Sequence, residues 1–338
     1  MAITTGGATG TPVAPPAPAT PPAGSATSSP RTSSSDGTGP RREAAWRRRD
    51  RRWGYVFVAP QLVGMALFVL LPFVASLVLA FASWNGLTEL EWVGFENFTA
   101  QLQDELLLRS IVNTLLIALI TVPVGLGIAV VIAVALERLR TRTLYLILFF
   151  APVVTSTVAV AMIWQQLFRA DGVLSTTIAS VFGVAPPDWL NDPRLALLAV
   201  CIVSIWSSLG LNVIIFLAGL QNISPSVIEA ARIDGAGAWR LFSSIRLPLL
   251  SPIVFFSSIV AFISSLQTFD TVFVLTANAG PDNATRTIVY HIYDLGFGRF
   301  EFGPSSAASV ILLLLTLVIT AIQFGAQKKF VHYEDDAA

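Results

Sequence analysis

Long apolar stretches alternate with short polar segments along most of this chain. A helix that crosses the roughly 30 Å hydrocarbon core of a bilayer needs about 20 apolar residues. Six stretches meet this requirement, the first of them interrupted by Pro72. The pattern therefore predicts an all-α polytopic membrane protein with six transmembrane helices near Tyr55–Ala82, Ile111–Leu136, Leu144–Phe168, Leu195–Leu220, Leu249–Leu275 and Ser305–Phe324.

The composition agrees with this pattern. Hydrophobic residues make up 54% of the 338 residues and charged residues only 12%, which is too apolar for a soluble domain. The single cysteine, Cys201, lies in an apolar stretch, so an internal disulfide and a cysteine-based metal site are both excluded. We therefore expect a multi-pass integral protein of the cell membrane.

The amino-terminal segment differs from the rest of the chain. Residues 1–52 are rich in Pro, Ala, Thr and Ser and end in an arginine cluster, which is typical of a disordered tail. The cluster directly precedes the first apolar stretch, where basic residues mark a cytoplasmic helix end. This position favours a topological role over nucleic-acid binding. The predicted organisation is a cytoplasmic tail, 1–52, and a transmembrane domain, 53–338.

Basic residues predict the orientation. With the amino terminus inside, 16 of the 21 Lys and Arg residues fall in cytoplasmic segments and five in outer loops. Because positive charge is retained on the cytoplasmic side, this asymmetry predicts that both termini and the segment between helices four and five are cytoplasmic.

That fourth-to-fifth segment, residues 224–248, contains two short predicted helices. Ser226 and Glu229 fit a capping box, and Ser224 followed by Pro225 offers a start one step earlier. Glycines then break the first helix. Pro248 is predicted to end the second helix, whose apolar stripe is Ala238, Leu241, Phe242 and Ile245.

A set of residues in this segment follows the pattern Glu-Ala-Ala, then Gly, then Ile-x-Leu-Pro. The residues are Glu229, Ala230, Ala231, Gly235, Ile245, Leu247 and Pro248. With this pattern the segment resembles the EAA loop of binding-protein-dependent ABC importer permeases, and we call residues 224–248 the EAA-like loop. In that family the loop is a coupling helix that inserts into a separate ATP-hydrolysing subunit. The alternative is an interfacial amphipathic linker.

Further motifs extend the resemblance from Trp53 to the carboxyl end. Phe269-Asp270, Leu275-Thr276 and Gly280-Pro281 are similar to a segment of the maltose-type first permease in the carbohydrate branch. Ala279 stands where the family commonly has glycine. The resemblance implies four kinds of partner: a pair of ATP-binding subunits, a second permease, an extracytoplasmic solute-binding protein and a carbohydrate substrate.

The residues themselves indicate that energy comes from a partner. A phosphate-binding P-loop needs a lysine after its glycine-rich turn, but the only lysines are Lys328 and Lys329 near the carboxyl end. Ion-coupled transport needs ionisable groups inside the membrane, and the predicted spans contain only Asp270 away from their ends. No cofactor is therefore expected, and ATP is expected to be used by the partner ATPase.

Neutral amides and one carboxylate are the polar residues within or near the spans. Asn212, Gln267 and Asp270 are the predicted substrate pathway, because amides and a carboxylate suit a hydroxyl-rich solute. Gln267 and Asp270 are predicted to share one face of the fifth helix. Asn113 and Gln165 are further polar positions of this kind. The alternative for each is that it joins helices to one another.

The predicted function is a non-catalytic permease subunit of a sugar or oligosaccharide importer. Import of a polyol or glycerol phosphate is the alternative substrate class, although a phosphate would favour arginine in the pathway. A secondary transporter or channel is a second alternative. A membrane enzyme is not supported, because His291 and His332 are the only histidines and are predicted to lie on opposite sides of the membrane.

Overall fold

The computed structural model describes the backbone of residues 40–330 and the side chains of residues 53–328. Most of this part is helical, as predicted. One antiparallel pair of two-residue strands places Ala82 opposite Trp92 and Ser83 opposite Glu91. The predicted tail before residue 40 and the carboxyl end after residue 330 lie outside the described residues.

The chain divides into two units, residues 1–63 and residues 64–338. The described part of the first unit is helical from Pro40 onward, within the segment that the sequence assigns to the tail. The predicted boundary at residue 53 stays a prediction.

Fourteen α-helices and two strands follow one another in the described residues. A π-helical turn, Ala66–Leu70, separates α1 from α2, and a second one, Phe242–Arg246, separates α10 from α11. A third π-helical turn, Asp294–Gly298, follows α13, and a 3₁₀ turn, Pro281–Asn283, precedes it. The elements are α1 Pro40–Met65, α2 Leu71–Leu79, β1 Ala82–Ser83, β2 Glu91–Trp92, α3 Glu96–Gln103, α4 Glu105–Glu137, α5 Arg142–Val154, α6 Thr157–Phe168, α7 Val173–Phe182, α8 Pro193–Gln221, α9 Pro225–Ile233, α10 Ala238–Leu241, α11 Leu247–Leu266, α12 Asp270–Leu275, α13 Ile288–Tyr293 and α14 Phe302–Phe330.

Several helical segments are long and apolar enough to cross a membrane. Among the described residues there are five of these, and the bent pair Arg142–Val154 and Thr157–Phe182 makes a sixth if it is one span. A multi-span helical protein is therefore confirmed, whereas the number six stays a prediction. The five segments are Trp53–Leu79, Glu105–Glu137, Pro193–Gln221, Ala238–Leu266 and Phe302–Lys328.

The third predicted span is not one straight helix. Its two halves meet at an angle of 102° between Val154 and Thr157. The Thr155 hydroxyl donates to the carbonyl of Ala151 at 2.8 Å, and the Thr155 N–H donates to the carbonyl of Pro152 at 3.2 Å. Thr155 and Ser156 then take extended backbone conformations, with ψ of 142° and 131°. The apolar pattern predicts one helix because the residues on both sides of this two-residue break are apolar.

The fifth span also differs from its prediction at both ends. Helical structure is continuous from Ala238 to Leu266, so Pro248 does not end the second helix of the EAA-like loop. The π-turn before it widens the backbone, which relieves the clash between a proline ring and the preceding turn. At the other end, the helix stops at Leu266 instead of Leu275. The Thr287 hydroxyl donates to the carbonyl of Thr268 at 2.9 Å, a tertiary contact that holds the unwound segment.

Helices α4, α8 and α11 share a hydrophobic core. Val130, Ala133, Val213, Phe216 and Leu250 belong to one buried cluster between them. The helices approach closely because small residues lie at the contact, as is usual for membrane helices. A Cβ added to Gly219 of α8 would lie 2.5 Å from Ile253 Cδ1 and 2.7 Å from Leu250 Cδ1, both on α11. These three helices form the scaffold around the cavity described below.

A buried polar network anchors the loop between α12 and α14. His291 is fully buried, and its Nδ1 accepts a hydrogen bond from Arg286 Nε at 3.3 Å. The ring proton must therefore be on Nε2, which lies 2.9 Å from Gln101 Oε1 and donates to it. Arg286 also donates to Asp294 Oδ2 at 2.7 Å. Burial, and next the Arg286 cation, lower the pKa of His291 to about 4.

Candidate functional site

The first helix of the EAA-like loop begins two residues earlier than a capping box at Ser226 would place it. Helix α9 starts at Pro225 with Ser224 at the N-cap, so the alternative start is correct. Ser226 lies inside the helix, and its hydroxyl contacts that of Ser224 at 2.7 Å. The predicted capping box between Ser226 and Glu229 is therefore not formed.

A glycine bend separates the two helices of the loop, as predicted. Gly235 has φ of +79°, a conformation that residues with a Cβ rarely adopt. The turn is closed by Ala236 N, which donates to the carbonyl of Ala231 at 2.9 Å. Gly237, at φ of −69° and ψ of 170°, then caps α10. The bend thus depends on one left-handed residue, Gly235.

The exposed surface of α9 differs in part from the predicted docking surface. Glu229 and Ala230 are exposed, but Ala231 is only 9% exposed, so a partner cannot approach it directly. Two large apolar side chains are exposed instead, Ile233 at 86% and Trp239 at 77%. The sequence analysis did not single out either residue. Trp239 lies off the apolar stripe of the second helix, and a large apolar residue in that position was the available signal.

The second half of the loop packs against the scaffold. Leu241 is buried, Ile245 and Pro248 are half-buried and Leu247 is 39% exposed. Arg246 is 5% exposed, and its Nη1 lies 2.9 Å from Glu137 Oε2 at the end of α4. Arg246, the variable position of the Ile-x-Leu-Pro pattern, therefore connects the loop to α4. The family pattern alone did not indicate this contact.

A cavity of about 480 Å³ lies among α4, α8 and α11 and is closed at one side by the break between α5 and α6. Asn212, Gln267 and Asp270, the three predicted pathway residues, all line it. The prediction that Gln267 and Asp270 share a helix face is wrong, because Gln267 follows the end of α11 and Asp270 begins α12. The unwound segment between the two helices brings both side chains to the cavity.

Hydroxyl groups supply most of the other polar atoms on the cavity wall, and the sequence reasoning did not single them out. Among the described residues that line the cavity, Asp270 is the only charged one, and no Lys, Arg or His is present. The segment between the end of α11 and the start of α12 is not helical. Non-helical backbone is tolerated inside a membrane protein where it lines a cavity. The hydroxyl-bearing residues are Thr121, Thr155, Thr157, Ser204, Ser207, Ser208, Ser257, Ser264, Ser265, Thr268 and Thr271.

Two other predicted polar positions connect parts of the fold. The Asn113 side chain donates to the carbonyls of Asn283 and Arg286, both at 3.1 Å. The Gln165 side chain donates to the carbonyl of Val274 at 3.1 Å. These contacts hold the segment after α11 against α4 and α6. For Asn113 and Gln165, the alternative that amides join helices therefore describes the structure.

Residues 125–331 match the family model described as "Binding-protein-dependent transport system inner membrane component". The chain belongs to this family. The lactose transport system permease protein LacF of Rhizobium radiobacter is 33% identical over 82% of this chain and 94% of its own length. The sn-glycerol-3-phosphate transport system permease protein UgpA of Yersinia pestis bv. Antiqua is 35% identical over 83% of this chain and 95% of its own length.

The fold of this inner membrane component matches that of solved transporter structures. A chain from the crystal structure of a bacterial ABC transporter involved in the import of alginate, an acidic polysaccharide, superposes with a TM-score of 0.74 at 22% identity. The match covers 86% of the present chain and all of the other. The present chain is thus a multi-pass permease with the fold of an ABC importer subunit.

Proposed function

We propose that this permease is the membrane subunit of an ABC importer that translocates an uncharged sugar or oligosaccharide. The observation that carries this proposal is the cavity, whose wall offers hydroxyls, the amides of Asn212 and Gln267 and one carboxylate, Asp270. A hydroxyl-rich solute both donates and accepts hydrogen bonds, and these groups do the same. The cavity volume of about 480 Å³ is within the range of small-molecule sites.

The partners in the proposal follow from family membership and from the EAA-like loop. A solute-binding protein delivers the sugar outside, and a second permease subunit completes the pathway. A separate pair of ATP-binding subunits receives α9 in a cleft and drives the change between outward and inward access. Glu229 and Ala230 on the exposed surface, with Ile233 and Trp239 as apolar contacts, support this docking role.

Glycerol phosphate is the second candidate substrate, and the identity to UgpA favours it. A phosphate is bound most strongly by arginine or lysine. Within the described part of the chain the cavity has no such residue, and Asp270 would repel an anion. A secondary transporter or channel is the remaining alternative, and it would not require ATP.

The test is uptake by the complete complex. Purification through this subunit, followed by mass spectrometry, identifies the partners. The complex is then placed in proteoliposomes with internal ATP, the binding protein outside, and either labelled neutral saccharides or glycerol 3-phosphate. We expect ATP-dependent uptake of a neutral saccharide. Uptake that continues without ATP would support a channel or secondary transporter, and uptake of glycerol 3-phosphate alone would support the second candidate.

A further inference from the structure

Two polar contacts, widely separated from each other, connect α4 to α11 and to the π-turn Phe242–Arg246 that continues into α11. At one end Arg246 Nη1 lies 2.9 Å from Glu137 Oε2. At the other, the hydroxyls of Thr121 and Ser265 lie 3.0 Å apart. With a rise of about 1.5 Å per residue, the two points are about 24 Å apart along α4 and about 28 Å along the other helix. The contacts thus tie two antiparallel helices together over most of a bilayer's thickness.

The ion pair is shielded from solvent. The Arg246 side chain is 6% exposed and that of Glu137 is 19% exposed. A buried ion pair adds little net stability, because desolvation of the charges offsets their attraction, but removal of one partner leaves the other charge buried and unpaired. The pair therefore favours one relative position of the two helix ends over all others. Nearby Arg138 and Arg240 are exposed and do not constrain the helices in this way.

One of the two contacts lies beside the EAA-like loop, and the other lies at the cavity. Arg246 ends the π-turn that continues directly from α10 of the EAA-like loop. Thr121 and Ser265 line the cavity. Between the two contacts, Val130, Ala133 and Leu250 pack in the same buried cluster. Buried, packed side chains therefore lie between the loop and the cavity wall, and packed side chains of this kind can carry a displacement between distant sites.

We propose that α4 and α11 move as one lever, and that the ion pair of Arg246 with Glu137 transmits displacement of the EAA-like loop to the cavity. This inference rests on the proposed function. Glu137 and Arg246 are positioning residues, since neither touches the substrate or lines the cavity. When the EAA-like loop is displaced, the ion pair makes α4 move together with α11, and the cavity wall at Thr121 and Ser265 moves with them.

The test compares charge variants in the purified, reconstituted complex. Glu137→Gln and Arg246→Gln each remove one charge of the pair, and Glu137→Arg combined with Arg246→Glu exchanges the charges. Arg138→Gln and Arg240→Gln are matched controls that remove exposed arginines beside the two positions. The measured quantity is the number of saccharide molecules taken up per ATP hydrolysed. A loss of folded complex lowers both rates and leaves this ratio unchanged, whereas a loss of transmission lowers the ratio.

We expect each single variant to lower the ratio at least tenfold while ATP hydrolysis continues, the exchanged pair to recover a substantial part of it, and both controls to match the wild type. An unchanged ratio in the assembled single variants would overturn the proposal. If the single variants do not assemble, the double variant with exchanged charges tests the proposal. Its assembly with a near-normal ratio supports transmission through the pair, and its failure to assemble or to couple counts against it.

A second readout separates this inference from the proposed function. Thr155→Cys in a Cys201→Ala background reports access to the cavity through its rate of reaction with a thiol reagent, without any sugar. We expect a non-hydrolysable ATP analogue to change this rate in the otherwise unaltered complex and to leave it unchanged when Glu137→Gln is added. Equal responses in both would refute the lever alone. No response in either would refute ATP-driven gating, and with it the proposed function.

Discussion

At the residue scale, polar side chains of the same type have different roles in this permease. Asn212 and Gln267 line the cavity, whereas Asn113 and Gln165 donate to main-chain carbonyls elsewhere in the fold. The distinction depends on which carbonyl lies within reach, and the sequence does not contain that information. Asn212 itself also donates one N–H to the carbonyl of Ser208 at 3.0 Å, so its Oδ1 and its second N–H are the groups available to a solute.

Replacement of Gln267 by Ala should reduce uptake or change the preference among saccharides. The side chain is exposed and lines the cavity, and it follows the end of α11, so its removal leaves no buried cavity in the core. We expect a loss of about tenfold in uptake, as is typical when a site loses one hydrogen-bonding group of about 1.4 kcal/mol. Gln165→Ala is the contrasting variant and should lower thermal stability. Unchanged uptake of every saccharide by Gln267→Ala would contradict a pathway role.

His291 predicts a pH-dependent stability. Its pKa is lowered to about 4 by burial and by Arg286, against about 6.5 in an unfolded chain. The unfolded state therefore binds the extra proton between these values, and stability falls as the pH decreases from about 6.5 towards 4, by up to about 3 kcal/mol. Above pH 6.5 this contribution is constant. Burial acts to raise the pKa of Asp294, but the hydrogen bonds and charges of Arg286 and Arg299 together outweigh burial and lower this pKa, so the effect of Asp294 on stability falls below this window.

Thermal melting of the detergent-solubilised permease between pH 4 and 8 tests this expectation. His291→Gln should melt at a lower temperature at pH 8 but lose less on acidification than the wild type. His332→Gln, the variant of the other histidine, is the control. An equal acid-induced loss in wild type and His291→Gln would show that other groups cause it.

At the element scale, the structure differs most from the sequence prediction in the positions at which helices are interrupted. The hydrophobic pattern predicts single helices near 144–168 and 249–275, and each is interrupted in the structure. Conversely, Pro248 was expected to end a helix that in fact continues. The apolar length of a segment indicates whether it can cross a bilayer, but it does not indicate where the helix is interrupted. Both interruptions lie at the cavity, at Thr155 and Thr268.

The bend of the EAA-like loop provides a prediction with an internal control. A Cβ at Gly235 or Gly237 would meet no atom within 4 Å, so steric crowding is the same at both. Only Gly235 has a positive φ, where a side chain costs about 1–2 kcal/mol and a β-branched one more. Gly235→Val should therefore redirect α9 and abolish co-purification of the ATPase and ATP-dependent uptake. Gly237→Ala should retain both, and normal coupling in Gly235→Val would show that the loop is only a linker.

At the scale of the whole molecule, the arrangement places the EAA-like loop and the cavity at opposite ends of the same two helices. About 28 Å of helix separates Arg246 from Ser265, at 1.5 Å per residue. This separation matches the division of labour that we propose, with ATPase docking on one side and solute passage deeper in the membrane. The distribution of basic residues predicts that the end of these helices beside the EAA-like loop faces the cytoplasm.

Cysteine labelling in intact cells tests the orientation. In a Cys201→Ala background, Ser226→Cys on the exposed surface of α9 should not react with an impermeant thiol reagent added outside. Leu87→Cys, at a position 94% exposed in a predicted outer loop, should react under the same conditions. The opposite result for the pair would invert the topology and remove the basis for ATPase docking, because the proposed ATPase partner is expected on the cytoplasmic side.

The sequence by itself determined the class of this protein, its family and the limits of most long helices. Apolar runs of about 20 residues have one stable solution in a bilayer, and the spacing from Glu229 to Pro248 is a local pattern, so neither needs knowledge of distant contacts. Tertiary structure alone decided that Ala231 is buried, that α11 ends at Leu266 and that Arg246 pairs with Glu137. Each of these depends on groups far apart in the chain, because burial and pairing are properties of neighbours in space.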